Sequence, residues 1–97
     1  MRREYKVNLV VNGRRFYRII IDTHYEKKHA SSINDKLILE LIELLEHQEF
    51  RPVDIDEEGF EYYVIDRIFY KGKQYRLIWL LHPEENYIGV INAFRRK

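Results

Sequence analysis

Cysteine is absent from the chain. Disulfides, thiolate metal sites and cysteine nucleophiles are therefore excluded. Proline occurs twice and glycine four times, and the glycines lie singly in turns or strands. No glycine-rich phosphate loop can be built from them. The apolar runs fall well short of a membrane-spanning helix, and the start Met1-Arg2-Arg3-Glu4 has no apolar signal segment. The expectation is a soluble cytoplasmic protein that does not contact membranes. No internal repeat, linker or low-complexity tract interrupts the sequence. What is present is 97 residues, 45% apolar and 14% aromatic. That is enough for a single domain over residues 1–97 with one core, and too apolar for disorder.

The net charge of +1 conceals a segregation. Residues 1–30 carry 8 basic and 3 acidic side chains, residues 31–66 carry 2 and 11, and residues 67–97 carry 7 and 2. If the two basic segments share a sheet surface, a cationic face stands opposite an acidic helix and loop and can attract nucleic acid. Ordinary solvated charge accounts for the pattern equally well.

The clearest element is Ser32–His47. Ile33, Leu37, Ile38, Leu41, Ile42, Leu44 and Leu45 recur at helical spacing, with Lys36, Glu40, Glu43 and His47 on the other side. Leu39 falls among the polar residues. Ser32 is suited to cap the first turn, and Asp35 suits the positive end of the helix dipole. Lys36 and Glu40 at i,i+4 add ~0.2–0.5 kcal/mol.

Before this helix, Tyr5–Val11 and Arg14–Asp22 flank Asn12-Gly13, a strong hairpin signal. A two-residue turn sets Val11 opposite Arg14, Leu9 opposite Phe16, Val7 opposite Arg18 and Tyr5 opposite Ile20. Ile19-Ile20-Ile21 is apolar on both sides, as in a strand covered twice. After the helix, Gln48–Gly59 reads as an acidic loop. Phe60–Tyr70, Gln74–His82 and Tyr87–Phe94 read as strands, joined by Lys71-Gly72-Lys73 and Pro83-Glu84-Glu85-Asn86. Leu77–Leu81 is apolar on both faces and should be central. Gly89 marks a bulge or a close approach. The expected fold is α+β: an N-terminal β-hairpin, one long α-helix, then a three-stranded antiparallel meander, with the helix packed on a twisted antiparallel sheet.

Chemistry is narrowed by elimination. His24 and His29, five apart, diverge on a helix, and no His-x-x-x-His motif accompanies them, so no metal and no cofactor is expected. Ser31 and Ser32 lack a nucleophile elbow. Asp54, Asp56, Glu57 and Glu58 have nothing to set their pKa values apart. The connector Thr23–Ser31 holds half of the four histidines, two lysines and a tyrosine. Metal-independent RNA cleavage needs a base for the 2′-hydroxyl, a cation for the phosphate and an acid for the leaving oxygen. His24 and His29 suit the proton transfers. Lys28, Arg76 and Arg95 suit the phosphate. Tyr25, Tyr63 and Tyr87 are candidates to stack bases, and Arg96 adds backbone attraction. Surface or structural roles suit each histidine, and sheet packing suits Tyr63 and Tyr87.

Three stretches resemble the RelE-like toxins of toxin–antitoxin pairs and their BrnT-type relatives. Lys28-His29 before the helix is similar to the Lys-His pair of BrnT-like chains. Tyr87–Arg96 resembles the strand with basic residues that closes many such toxins. Lys73–Trp79 resembles their central strand, where an arginine often faces the phosphate. The pattern covers residues 22–97. The hairpin Tyr5–Asp22 departs from it, being longer than the single strand typical of RelE. Lys28, His29, Arg76 and Arg95 match by position, whereas His24 rests on chemistry alone. The resemblance implies a small endoribonuclease that cuts RNA without metal, often messenger RNA on the ribosome, and a cognate antitoxin that covers its basic face. The alternatives are a non-catalytic module that binds nucleic acid or an acidic protein through the same face, and a domain whose sheet edge pairs with a partner strand.

Overall fold

Asn12 and Gly13 adopt positive φ, 55° and 71°, and close the first hairpin between β1 (Arg2–Val11) and β2 (Arg14–Asp22). These and the other features below come from a computed structural model that describes residues 1–97. Lys71 and Gly72, with φ of 50° and 77°, turn β4 (Glu61–Tyr70) into β5 (Lys73–Leu81). Both turns need left-handed backbone, which Asn and Gly adopt cheaply. β6 (Tyr87–Arg96) is antiparallel to β5.

The expected architecture is corrected in two ways. First, hairpin and meander are not separate. β2 pairs with β6 in parallel, Arg18 with Tyr87 through Ile21 with Val90. The result is one six-stranded mixed sheet in the order β1-β2-β6-β5-β4-β3. The extra strand β3 (Asp54–Ile55) is a two-residue bridge to β4 inside the stretch read as an acidic loop. Second, there is no long helix. A 3-10 turn (Thr23–Tyr25) and a short α1 (Glu26–His29) precede α2, which spans only Asp35–Glu43.

Local chemistry sets those limits. Asn34, extended at φ −141° and ψ 170°, accepts the amide of Leu37 at 2.8 Å and displaces Ser32 as the cap. Ser32 instead bonds back to the carbonyl of His29. At the other end Leu44 and Leu45 donate to Leu41 and Ile42, tightening the last turn, and His47 at φ 62° ends it. Apolar periodicity continues beyond the helix because Leu45 is still buried. Leu44 is exposed, whereas Leu39 packs against the core.

Of three register slips in the sheet, one of them between Ile65 and Ile68 of β4, two decide which residues of β2 and β6 face the core. Between Lys6 and Leu9 the first hairpin shifts, so Lys6 meets Arg18 and Tyr5 meets Ile19, not the pairs expected for a regular ladder. Phe16 and Ile19, three apart, are consequently both buried. A second slip, opposite Ile78 and Trp79, gives β6 one extra residue, Ile91. Val90 and Ala93 both point inward as a result. One face of the sheet holds the core with Ile38, Leu41 and Ile42 of α2. At its centre Trp79 stacks on Tyr63 at 4.2 Å and meets the edge of Phe50 at 5.5 Å. No helix is long and apolar enough to cross a membrane.

Candidate functional site

The β2–β6 ladder stops at Ile21 and Val90, but β6 runs on to Arg96. The connector fills the vacated edge. Asp22 caps the 3-10 turn by accepting the amide of His24 at 2.9 Å, and the chain then swings along the far half of β6. Tyr25 is driven into the core as the anchor, with 2% of its surface exposed.

Behind this anchor lies a polar knot. Asp35, first residue of α2, accepts from Arg3 Nε at 2.6 Å, Arg3 Nη2 at 3.0 Å, Tyr25 Oη at 2.6 Å and Tyr5 Oη. Arg3 also reaches Glu26 at 3.0 Å. The Arg3 guanidinium, helped by the Tyr25 and Tyr5 hydroxyls and opposed by desolvation, pushes the Asp35 carboxyl down to about 2. Burial, then the Asp35 carboxylate, pushes the Tyr25 hydroxyl up to about 12. The knot ties β1, the connector and α2 together.

In front of the anchor is a hollow of about 150 Å³ lined by His24, Tyr25, Lys28, His29 and Asn92. The two histidines do not diverge, because His24 sits in the 3-10 turn and His29 ends α1. His29 stacks on Phe94 with ring centroids 5.1 Å apart and planes at 26°. Asn92 accepts the amide of Ala93 through Oδ1, leaving its NH₂ without a protein partner. The Arg76 guanidinium lies 5.9 Å from the same Phe94 ring.

The sequence candidates therefore divide. His24, Lys28 and His29 share one hollow, and Arg76 approaches through Phe94. Arg76 is held by Asp66 at 2.7 Å, and Arg96 shares that carboxylate at 3.4 Å. Arg95 does not join them. It pairs in register with core-facing Tyr75, on the side of β6 opposite Phe94, and forms no side-chain hydrogen bond. Tyr63 has no free face for a base, since it is buried against Trp79 and bonded to Asn12 and Glu61. Tyr25 is likewise committed to the core and to Asp35. Tyr87 lines a different hollow, described below. Sequence reasoning missed Asn92, Phe94 and the partners of Asp35. A lone amide between Ile91 and Ala93 was the available signal for Asn92. No group of three or more His, Asp or Glu side chains is placed to hold a metal ion. Compared with known protein families, curated proteins and solved structures, the chain matches none.

Proposed function

We propose that this protein is a small metal-independent endoribonuclease of the toxin type. The observation that carries the reading is that His24, Lys28 and His29, two histidines and a lysine, line one hollow. In the proposed reaction one imidazole takes the proton of a 2′-hydroxyl, and the freed oxygen attacks the adjacent phosphorus. The bond from phosphorus to the 5′-oxygen breaks, and the second imidazolium protonates that oxygen. A 2′,3′-cyclic phosphate and a 5′-hydroxyl result. Lys28 and the Asn92 amide offset the charge that builds on the phosphoryl oxygens. Arg76, which approaches through the Phe94 ring, is a further cation for the phosphate; Arg95 is left out because it belongs to the other face. The reading implies RNA in the cytoplasm, including ribosome-bound messenger RNA, as substrate, and a cognate antitoxin chain as partner.

The test is incubation with RNA in excess chelator. Expected are fragments ending in cyclic phosphate for the wild type, and none for folded His24→Ala/His29→Ala protein. Intact RNA with the wild type, or equal cleavage by the double variant, defeats the proposal. Retention of uncut RNA that weakens with salt moves the reading to a binding module.

A further inference from the structure

The face of the sheet turned away from α2 carries a second hollow, of about 160 Å³. Its floor is apolar, formed by Ile20, Leu80 and Ile91. Phe60 and Tyr87 supply aromatic rings. Arg2 and Asp22 supply a donor and an acceptor. We propose that this hollow is a nucleobase subsite, receiving the base of a nucleotide next to the one whose 2′-hydroxyl reacts. The proposal rests on the endoribonuclease reading and extends it to how the strand is held.

Four observations converge on a base. The first is preorganisation. The His82 ring packs against Phe60 at 4.8 Å and against Tyr87 at 5.7 Å. His82 is itself fixed, because its Nδ1 accepts the amides of Glu84 at 3.0 Å and Glu85 at 2.9 Å. Both aromatic rings are thus buttressed before any ligand arrives, and flat rings on a rigid support are what base stacking uses.

The second is a floor kept low by Gly89. A Cβ on Gly89 would stand 2.8 Å from Leu80 Cδ1, so Leu80 lies flat across the glycine only while no side chain is there. The third is charge. Arg2 lies at the hollow, and the Arg18 guanidinium, 5.5 Å from the Tyr87 ring, is shared with Glu4 at 3.1 Å on the exposed rim, where a flanking phosphate can compete for it. Asp22 adds an acceptor for the amino or imino edge of a base, which an aliphatic protein side chain would leave unused.

The fourth is continuity. Asp22 lines this hollow and caps the turn that presents His24 to the other. Ile91 and Asn92, adjacent on β6 at the bulge, line one hollow each. The two hollows therefore abut, and a single strand can lay a phosphate in one and a base in the other.

The test uses 2′-O-methyl oligoribonucleotides, which bind but cannot be cut, with fluorescence anisotropy as readout. An abasic site is moved along the oligonucleotide one position at a time. Wild-type protein should lose on the order of 10- to 100-fold in affinity at one position, the value of a stacked base. Tyr87→Ala should bind intact and abasic strands equally, and Tyr87→Phe should restore the difference. Gly89→Ala, which lifts Leu80 into the hollow, should behave like Tyr87→Ala. No position-dependent loss in the wild type overturns the subsite, as does a Tyr87→Ala protein that still discriminates. Binding of an apolar peptide in preference to every oligonucleotide overturns it too. Because nothing is cleaved in this assay, its result is independent of whether the histidines are catalytic.

Discussion

Two polar clusters share Tyr25, which lines one and bonds into the other, and they differ in one respect. Around Asp35 every strong donor has found its acceptor: Arg3, Tyr5 and Tyr25 all end on one carboxylate. In the hollow in front, the imidazoles of His24 and His29, the ammonium of Lys28 and the amide nitrogen of Asn92 make no side-chain hydrogen bond to the protein. A satisfied cluster fixes architecture, and an unsatisfied one retains the capacity to hold a ligand. The same residue types serve both ends, so composition alone does not separate them. Substitutions should separate them by affecting stability in one cluster and activity in the other.

The largest effect belongs to the hollow. On the proposed reading, replacing His24 and His29 by alanine should lower the cleavage rate by about 10²- to 10⁴-fold, the usual worth of positioned acid–base groups, with the unfolding midpoint moved only by the lost His29–Phe94 stacking. A shifted midpoint with the rate preserved would erase the contrast between the clusters. Asp35→Asn should do the reverse. It should cost about 1–3 kcal/mol in denaturant unfolding, because Arg3, Tyr5 and Tyr25 lose a charged acceptor, and spare the rate per folded molecule.

The pH dependence sharpens this second expectation. Asp35 has a folded pKa of about 2, below its ordinary 3.8. Its contribution is therefore complete above about pH 4 and lost as pH falls toward 2. Wild-type unfolding should show that acid limb, and Asp35→Asn should lack it.

Tyr25→Phe removes one hydroxyl from the knot and should cost about 1 kcal/mol. The Tyr25 hydroxyl is raised to about 12, so its share persists below the ordinary tyrosine range and is lost as pH climbs through 12. An alkaline unfolding series on both proteins checks it. The smallest effect on stability is expected of Asp66→Ala. Its pairs with Arg76 and Arg96 are half exposed, and such pairs contribute little. The released guanidiniums should, however, tighten RNA binding at low salt in a filter-retention titration, and unchanged binding would show that neither arginine reaches the strand.

Local signals in the sequence were legible where the backbone itself demanded a residue type. Asn12-Gly13 and Gly72 announce their turns because Asn and Gly tolerate left-handed backbone, whereas Lys71 adopts it with no such preference. Long-range features were not. Nothing in Ile19-Ile20-Ile21 says that its second neighbour is Ile88–Val90, or that the pairing is parallel. Apolar spacing overstates the helix because it reports what is buried, whereas the termini are set by hydrogen bonds, here from the Asn34 side chain. The site divided for a similar reason. His24, Lys28 and His29 are close in sequence and stay close in space. Charge and the resemblance both group Arg95 with them, but the extra residue in β6 inverts the alternation of the strand. It sends Asn92 and Phe94 to the open side and Arg95 to the other. One bulge, invisible in composition, thus chooses the C-terminal members of the site.

The parallel ladder between β2 and β6 also governs the order of assembly. Of the six strands, the one that completes β2 is translated after all the others, so Ile19–Ile21 waits with an unzipped apolar border while most of the domain is being made. Distant closures of this kind slow folding and expose nascent chains to self-association. Arg14, Arg15 and Arg18, set beside that isoleucine run, give the waiting hairpin a repulsive fringe against its own copies until β6 arrives.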